Sequence, residues 1–313
     1  MTSHIILALN VVLPLFLCMA AGYGLRRIRM VDGPSLKVMN RLCFKVFLPI
    51  LLFRNVYTTN LSESFNGPLI LFSVAGVFGY FLLLMLVVPR LEKENRRRGV
   101  LIQGIFRSNF VLFGLPVAIS LCGEDHVGVT SLLIGIVVPV FNVLSVVALE
   151  VFRGGRIHVK KIVKGILTNP LILASLLGVI FYLLKINLPQ AIDKTVLDLS
   201  RIATPLSLIV LGASFTFGKI PGMAKQLTIG VLGKLVIAPL IMVPLAILLG
   251  YRNVELISIM IMFGSPTAVS SFTMAQEMDG DGDLAAELVV FTTGISILTI
   301  FLWILILKTM SFI

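Results

Sequence analysis

The chain has 313 residues, 58% hydrophobic and 13% charged, with a formal net charge of +11 and a mean hydropathy of +1.04. A soluble domain carries about a quarter charged residues, and no water-facing globule can hide this much apolar side chain, so the composition excludes a soluble enzyme. The basic excess does not indicate nucleic acid, because Lys and Arg sit in short loops between apolar runs, where they orient helices across a bilayer.

A membrane-spanning helix needs roughly 20 mostly apolar residues. Ten stretches qualify, near 4–25, 37–58, 67–89, 98–122, 127–152, 164–184, 195–217, 223–249, 253–276 and 284–308. The start, Met1-Thr2-Ser3-His4, lacks the basic segment of a secretory signal, and the apolar run after it is too long for a cleaved one, so it reads as the first span. Cys18, Cys43 and Cys122 lie in or beside apolar stretches without metal-ligand spacing and read as small apolar fillers.

Loops after the first, third, fifth and seventh spans are basic: Arg26, Arg27, Arg29 and Lys37; Arg90, Lys93, Arg96, Arg97 and Arg98; Arg153, Arg156, Lys160, Lys161 and Lys164; Lys219 and Lys225. The alternate loops hold few cations. Odd-numbered loops are therefore expected in the cytoplasm and both termini on the extracellular or periplasmic side of the cell membrane. The loop after the ninth span, Glu277 to Asp283, is acidic instead, but acidic residues weigh little in this rule.

The chain resembles itself. Phe113-Gly114-Leu115-Pro116-Val117-Ala118-Ile119-Ser120 in span four and Phe263-Gly264-Ser265-Pro266-Thr267-Ala268-Val269-Ser270 in span nine agree at five of eight positions at an offset of 150. Pro14-Leu15 and Gly22 match Pro170-Leu171 and Gly178, and Pro49 matches Pro205, at an offset of 156. Residues 1–152 and 164–313 then form two halves of five spans, joined by a linker at 153–163. Five is odd, so the second half enters the membrane from the opposite side. The expected fold is an all-α integral membrane protein of ten transmembrane helices, arranged as two inverted five-helix repeats with helices four and nine broken. Proline removes a backbone donor and glycine tolerates non-helical angles, so the breaks are expected at the two Gly-x-Pro elements, the second half of span four starting near Gly114 or Pro116.

Asn109-Phe110-Val111-Leu112-Phe113-Gly114-Leu115-Pro116 fits an Asn-x4-Gly-x-Pro pattern, and Pro266 with Ala275-Gln276-Glu277 fits a second crossing element. In these residues the chain resembles the auxin efflux carrier superfamily, which includes bacterial malate and malonate permease-like members. The short 153–163 loop departs from the long hydrophilic loop of the plant members and points to the compact, prokaryotic-type branch. The resemblance implies a scaffold domain from spans 1, 2, 6 and 7. It also implies a transport domain from spans 3–5 and 8–10, and elevator-like alternating access.

Basic residues inside spans cost about 2.5–3.5 kcal/mol each at the helix centre, which invites a functional reading. Lys45, Arg107 and Lys234 qualify. Lys45 and Arg107 can also snorkel to the cytoplasmic interface, and Lys234 faces no recognised element. Arg107 stands two residues before Asn109, and its planar fork suits a carboxylate. The expected substrate site comprises Asn109, Arg107, Gly114, Pro116, Gly264, Ser265, Pro266, Thr267, Lys45 and Pro49. Asp, Glu and His lie in loops or near span ends, which leaves no obvious proton relay. Sodium could use hydroxyls and freed carbonyls, with Ser270 and Ser271 as an ion site. Asp279, Asp281 and Asp283 imitate a calcium loop but lack its glycine and closing glutamate. Asn60-Leu61-Ser62 fits a glycosylation acceptor.

The function expected is a secondary transporter for a small organic anion, a carboxylate. The expected partners are that anion, the bilayer and a second copy of the chain. No nucleic acid, metal or cofactor is expected beyond a coupling Na+ or H+. The alternatives are a sodium-coupled symporter of bile-acid-like anions, a lipid-phase membrane enzyme and a non-transporting sensor. Against the enzyme stands the lack of an intramembrane metal pair or nucleophile-base set, and a sensor would be expected to append a soluble output domain to such spans.

Overall fold

The computed structural model describes residues 2–58, 66–123, 127–153, 159–216 and 221–313. The described residues are almost entirely helical. In chain order they form α1 (Thr2–Arg27), α2 (Gly33–Leu42), α3 (Leu48–Tyr57), α4 (Gly67–Leu91), α5 (Asn95–Phe106), α6 (Phe110–Cys122), α7 (Val127–Val151) and α8 (Val159–Leu167). There follow α9 (Pro170–Leu183), α10 (Gln190–Ser214), α11 (Ala224–Leu232), α12 (Ala238–Leu248), α13 (Asn253–Gly264), α14 (Ser270–Glu277) and α15 (Gly282–Thr309). One π-helical turn, Cys43–Phe47, joins α2 to α3, and another, Gly233–Ile237, joins α11 to α12, so each pair runs as one rod.

Local chemistry sets the starts. The side chains of Asp32, Asn66, Asn169 and Asp281 each accept a backbone N–H at a helix N-terminus, and proline stands in the first two positions of α2, α4 and α9. Five helical stretches, Gly67–Leu91, Gly128–Val151, Gln190–Ser214, Pro221–Leu248 and Gly282–Thr309, are long and apolar enough to cross a bilayer. Large apolar side chains such as Leu71, Leu86, Leu183, Leu248 and Leu298 are exposed on the outer surface, where lipid supplies the missing contacts.

Spans four and nine, expected from the sequence to be broken, are each two shorter helices: α5 and α6, α13 and α14. The sixth expected span, 164–184, is also divided. It comprises the end of α8 and the 14-residue α9, because Asn169 and Pro170 start a new helix.

Two helix pairs approach backbone to backbone. A Cβ on Gly22 of α1 would lie 2.0 Å from the Ile209 carbonyl oxygen of α10, and one on Gly212 of α10 would lie 1.9 Å from that of Met19. In the second pair, a Cβ on Gly178 of α9 would lie 2.8 Å from the Phe53 carbonyl oxygen of α3. Without a hydrophobic drive between helices in lipid, such small-residue contacts supply the packing. Phe181 meets Phe53 and Tyr57 edge-on beside the α3–α9 contact.

The acidic loop finds its explanation here. Asp281 pairs with Arg97 at 3.0 Å and Asp279 with Arg153 at 2.9 Å, while Arg96 donates to the Asp279 carbonyl at 2.9 Å. The acidic loop thus lies at the same end of the bundle as two of the basic loops and neutralises part of their charge. The bond to Asp281 holds the Arg97 pKa above the usual guanidinium value. No cluster of metal-ligating side chains occurs among the described residues. Asn60-Leu61-Ser62, His126 and His158 lie outside them.

Candidate functional site

The two helix breaks meet. After α5, Arg107 is extended (φ −82°, ψ 120°) and α6 restarts at Phe110. After α13, Ser265 is extended (φ −66°, ψ 154°), as the residue before Pro266 must be, and α14 restarts at Ser270. Ser108 and Thr267 form an isolated antiparallel bridge, and the Asn109 N–H donates to the Pro266 carbonyl at 2.8 Å.

Each break closes the open end of the other's preceding helix. The last carbonyls of a helix lack intrahelical donors. The Thr267 hydroxyl donates to the Gly104 carbonyl of α5 at 2.7 Å, and the Ser108 hydroxyl donates to the Met262 carbonyl of α13. Thr292 of α15 accepts the Thr267 N–H at 3.1 Å. Behind the crossing, the fully buried Lys234 donates to the Ser108 hydroxyl oxygen and to the Phe263 carbonyl at 3.3 Å.

This geometry corrects the expected position of the first break. Gly114 and Pro116 lie inside α6, past the interruption, whereas Gly264 ends α13 and Pro266 sits within the second break. The five-of-eight match at offset 150 therefore aligns a helix with a helix break. The crossing pairs Ser108 with Thr267 instead.

Against the crossing lies a cavity of about 420 Å³. Its walls come from α1 (Pro14, Leu15), α3 (Leu48, Leu51, Leu52, Asn55), α7 (Phe141, Asn142) and α10 (Ser200, Arg201, Thr204, Leu208), and its floor is Arg107 to Leu112 with Ala268 to Ser270. No carboxylate is among the described lining residues.

Arg107 is only 4% exposed. Its guanidinium donates to Asn142 Oδ1 at 2.5 Å, to Ser270 Oγ at 2.7 Å and to the Met274 sulfur, all neutral acceptors. Asn109 is 8% exposed, and its Nδ2 has no hydrogen-bond partner among the described residues, nor has that of Asn142. A buried amide donor without an acceptor costs about 1–3 kcal/mol, which a bound acceptor would recover. Phe110 to Leu112, the first residues of α6, also line the cavity, so the positive end of the helix dipole lies beside it and favours an anion.

Of the residues expected at the site, Arg107, Asn109 and Ser270 line the cavity. Gly264, Ser265, Pro266, Thr267 and Ser271 form the buried crossing or pack into it, with the Ser271 carbonyl accepting from Gln103 Nε2 at 2.8 Å. Gly114 and Pro116 stand apart in α6, Pro49 is half-buried at the start of α3, and Lys45 is exposed on the outer surface of its π turn. Asn55, Asn142, Ser200, Arg201 and Thr204 line the cavity without having been anticipated. An asparagine inside the otherwise apolar run of α7 was the one legible signal among them. Lys234 was visible as a span lysine, but its place behind the crossing was not.

Comparison with known proteins agrees with a transporter. The family model described as Membrane transport protein matches residues 7–304. A protein of Methanothermobacter thermautotrophicus named "Uncharacterized transporter" is 24% identical, the match covering 93% of this chain and 96% of that one. A Rhizobium meliloti protein named "Putative malonate transporter" is also 24% identical, over 93% of each chain. The "Auxin efflux carrier component 6" of Arabidopsis thaliana is 27% identical over 41% of this chain and 24% of its own length. Since the family model spans nearly all of a helical chain with several membrane-length apolar helices, the protein belongs to the auxin efflux carrier family of membrane transport proteins.

Proposed function

We propose that the protein is a secondary transporter of a small organic anion, a carboxylate, and that the anion binds in the cavity at the crossing. The observation that carries this reading is the Arg107–Asn109 pair. Among the described residues, a buried guanidinium held only by neutral acceptors and an amide donor without an acceptor face a cavity lined by no carboxylate. A carboxylate accepts from both and brings the charge that Arg107 lacks. The name of the Rhizobium meliloti relative makes malonate the first substrate to try.

The architecture proposed is ten passes in two inverted repeats. The reciprocal capping of α5 by Thr267 and α13 by Ser108 supports it. So do the Gly22–Ile209 and Gly178–Phe53 contacts: exchanging the halves turns the α1–α10 pair into α9–α3. In this reading α1, α2, α3, α9 and α10 are the scaffold, and the crossing moves against it in an elevator-like step. Both termini face outward, which labelling of cysteines placed at positions 2 and 311 in intact cells tests.

The direct test is uptake of labelled malonate, and of a panel of other mono- and dicarboxylates, into proteoliposomes. Saturable uptake that is lost in Asn109→Ala, with the fold retained, is the expected result. Uptake unchanged in Asn109→Ala would move the site elsewhere.

A further inference from the structure

Lys234 takes no part in lining the cavity, yet it is the most deeply enclosed cation of the described chain, with 0% exposure. It stands ten residues into the rod that begins at Ala224, about 15 Å along a helix axis and so far from either membrane surface. Its side chain does not snorkel. The π-helical turn Gly233–Ile237 adds a residue to the helix at this point, which re-aims the lysine toward the crossing. The Gly233 carbonyl, bonded within the π turn to the Ala238 N–H, also accepts from Tyr80 Oη at 2.8 Å, anchoring the distortion to α4.

What the ammonium meets is a set of oxygens. It donates to Ser108 Oγ, which donates onward to the Met262 carbonyl, and it donates directly to the Phe263 carbonyl. Met262 and Phe263 belong to the last turn of α13, whose carbonyls carry the negative end of the helix dipole. A hydroxyl oxygen beside end-of-helix carbonyls at a helix break is the ligand chemistry with which broken-helix carriers hold a monovalent coupling cation. Here a covalently attached ammonium holds that position. On the other side of the crossing, the end of α5 is capped by the Thr267 hydroxyl, and a neutral residue, Thr292, backs Thr267.

We propose that Lys234 is a built-in cation: its ammonium replaces a coupling Na+ at the end of α13, so that the crossing assembles, and the carrier works, without sodium. Lys234 is thus a positioning residue that acts through Ser108 and α13 and does not touch the substrate. The consequence for transport rests on the carrier reading above, but the occupancy of the position can be tested without any substrate.

The test is thermal unfolding of the purified full-length protein in detergent, in sodium, potassium or choline chloride at equal ionic strength. Wild type should unfold at the same temperature in all three. Lys234→Ser removes the ammonium and leaves room for an ion. It should unfold at least about 3 °C lower in choline and recover part of that loss in sodium. Lys234→Met fills the same space without charge and should unfold lower in every salt, with no recovery. Stabilisation of the wild type by sodium over choline would overturn the proposal. So would a Lys234→Met protein as stable as wild type, or a Lys234→Ser protein that responds to sodium no more than Lys234→Met does. If Lys234→Ser does not fold, the wild-type and Lys234→Met curves decide. Malonate uptake that proves absent would remove the carrier reading and leave these unfolding results intact.

Discussion

Ser108 and Thr267 face each other as a single antiparallel bridge, and each hydroxyl bonds a carbonyl in the last turn of the helix that precedes the other. The two breaks therefore stabilise one another, and neither can be satisfied alone. Ser108→Ala leaves the Met262 carbonyl without its donor and Lys234 with one acceptor fewer, and Thr267→Val strips the Gly104 carbonyl. Each should destabilise the protein by about 1–3 kcal/mol, the serine more than the threonine. Ser265→Ala is the control, because the buried Ser265 hydroxyl has no partner among the described residues, and it should be neutral. Unfolding in detergent separates them. Equal curves for all three variants would deny the capping role.

Arg107 should set the charge preference of the cavity. Arg107→Gln keeps a hydrogen-bonding head that can still reach Asn142 or Ser270 but removes the charge. If the proposed carboxylate site is right, binding of malonate, or of whichever carboxylate the uptake panel identifies, should weaken by about 10- to 100-fold, the worth of a charge-assisted hydrogen bond. A neutral analogue of similar shape, malonamide, should bind the variant and wild type alike. Isothermal titration with both ligands reads this directly. Equal losses for the two would make Arg107 a structural tie between Asn142, Ser270 and Met274.

The membrane character and the meeting of spans four and nine were legible because hydropathy and proline leave strong local traces. The first break was misplaced for a physical reason. Phe106 to Asn109 contains neither glycine nor proline, and its extended form is imposed by the partner strand at Pro266 and Thr267, an interaction no local pattern carries. The role of Lys234 was hidden in the same way: its acceptors, Ser108 and Phe263, lie far off in sequence. The acidic run from Glu277 to Asp283 contradicted the basic pattern of its neighbours until Arg97 and Arg153 were seen to reach it.

Glycine at the α1–α10 contact should be irreplaceable. A methyl at Gly212 would sit 1.9 Å from the Met19 carbonyl oxygen, a backbone atom that cannot move without shifting α1. Gly212→Ala should cost about 1–3 kcal/mol or more by overpacking. Gly24→Ala, on the same α1 but with nothing within 4 Å of the added methyl, should be neutral or slightly stabilising. Yield of folded protein and unfolding temperature test the pair, and equal tolerance of both substitutions would refute the close approach.

The two prolines of the Gly-x-Pro elements should behave differently, because only one of them stands in a break. Pro116 lies inside α6, where it withholds an N–H from the turn before it and clashes with that turn. Pro116→Ala restores a donor to a continuous helix and should leave malonate binding unchanged, with unfolding unaltered or raised. Pro266 has another task. It forces Ser265 into the extended form, and its carbonyl accepts the Asn109 N–H, so it holds both strands of the crossing. Pro266→Ala keeps that carbonyl but frees Ser265 to turn helical, which draws α13 forward into the break and pulls the bridge apart. Binding should weaken and the protein should unfold at a lower temperature. The contrast distinguishes the two placements of the first break. Were the interruption at Gly114 and Pro116, the two alanine variants would lose binding alike. With the interruption at Arg107 to Asn109, only Pro266→Ala should lose it.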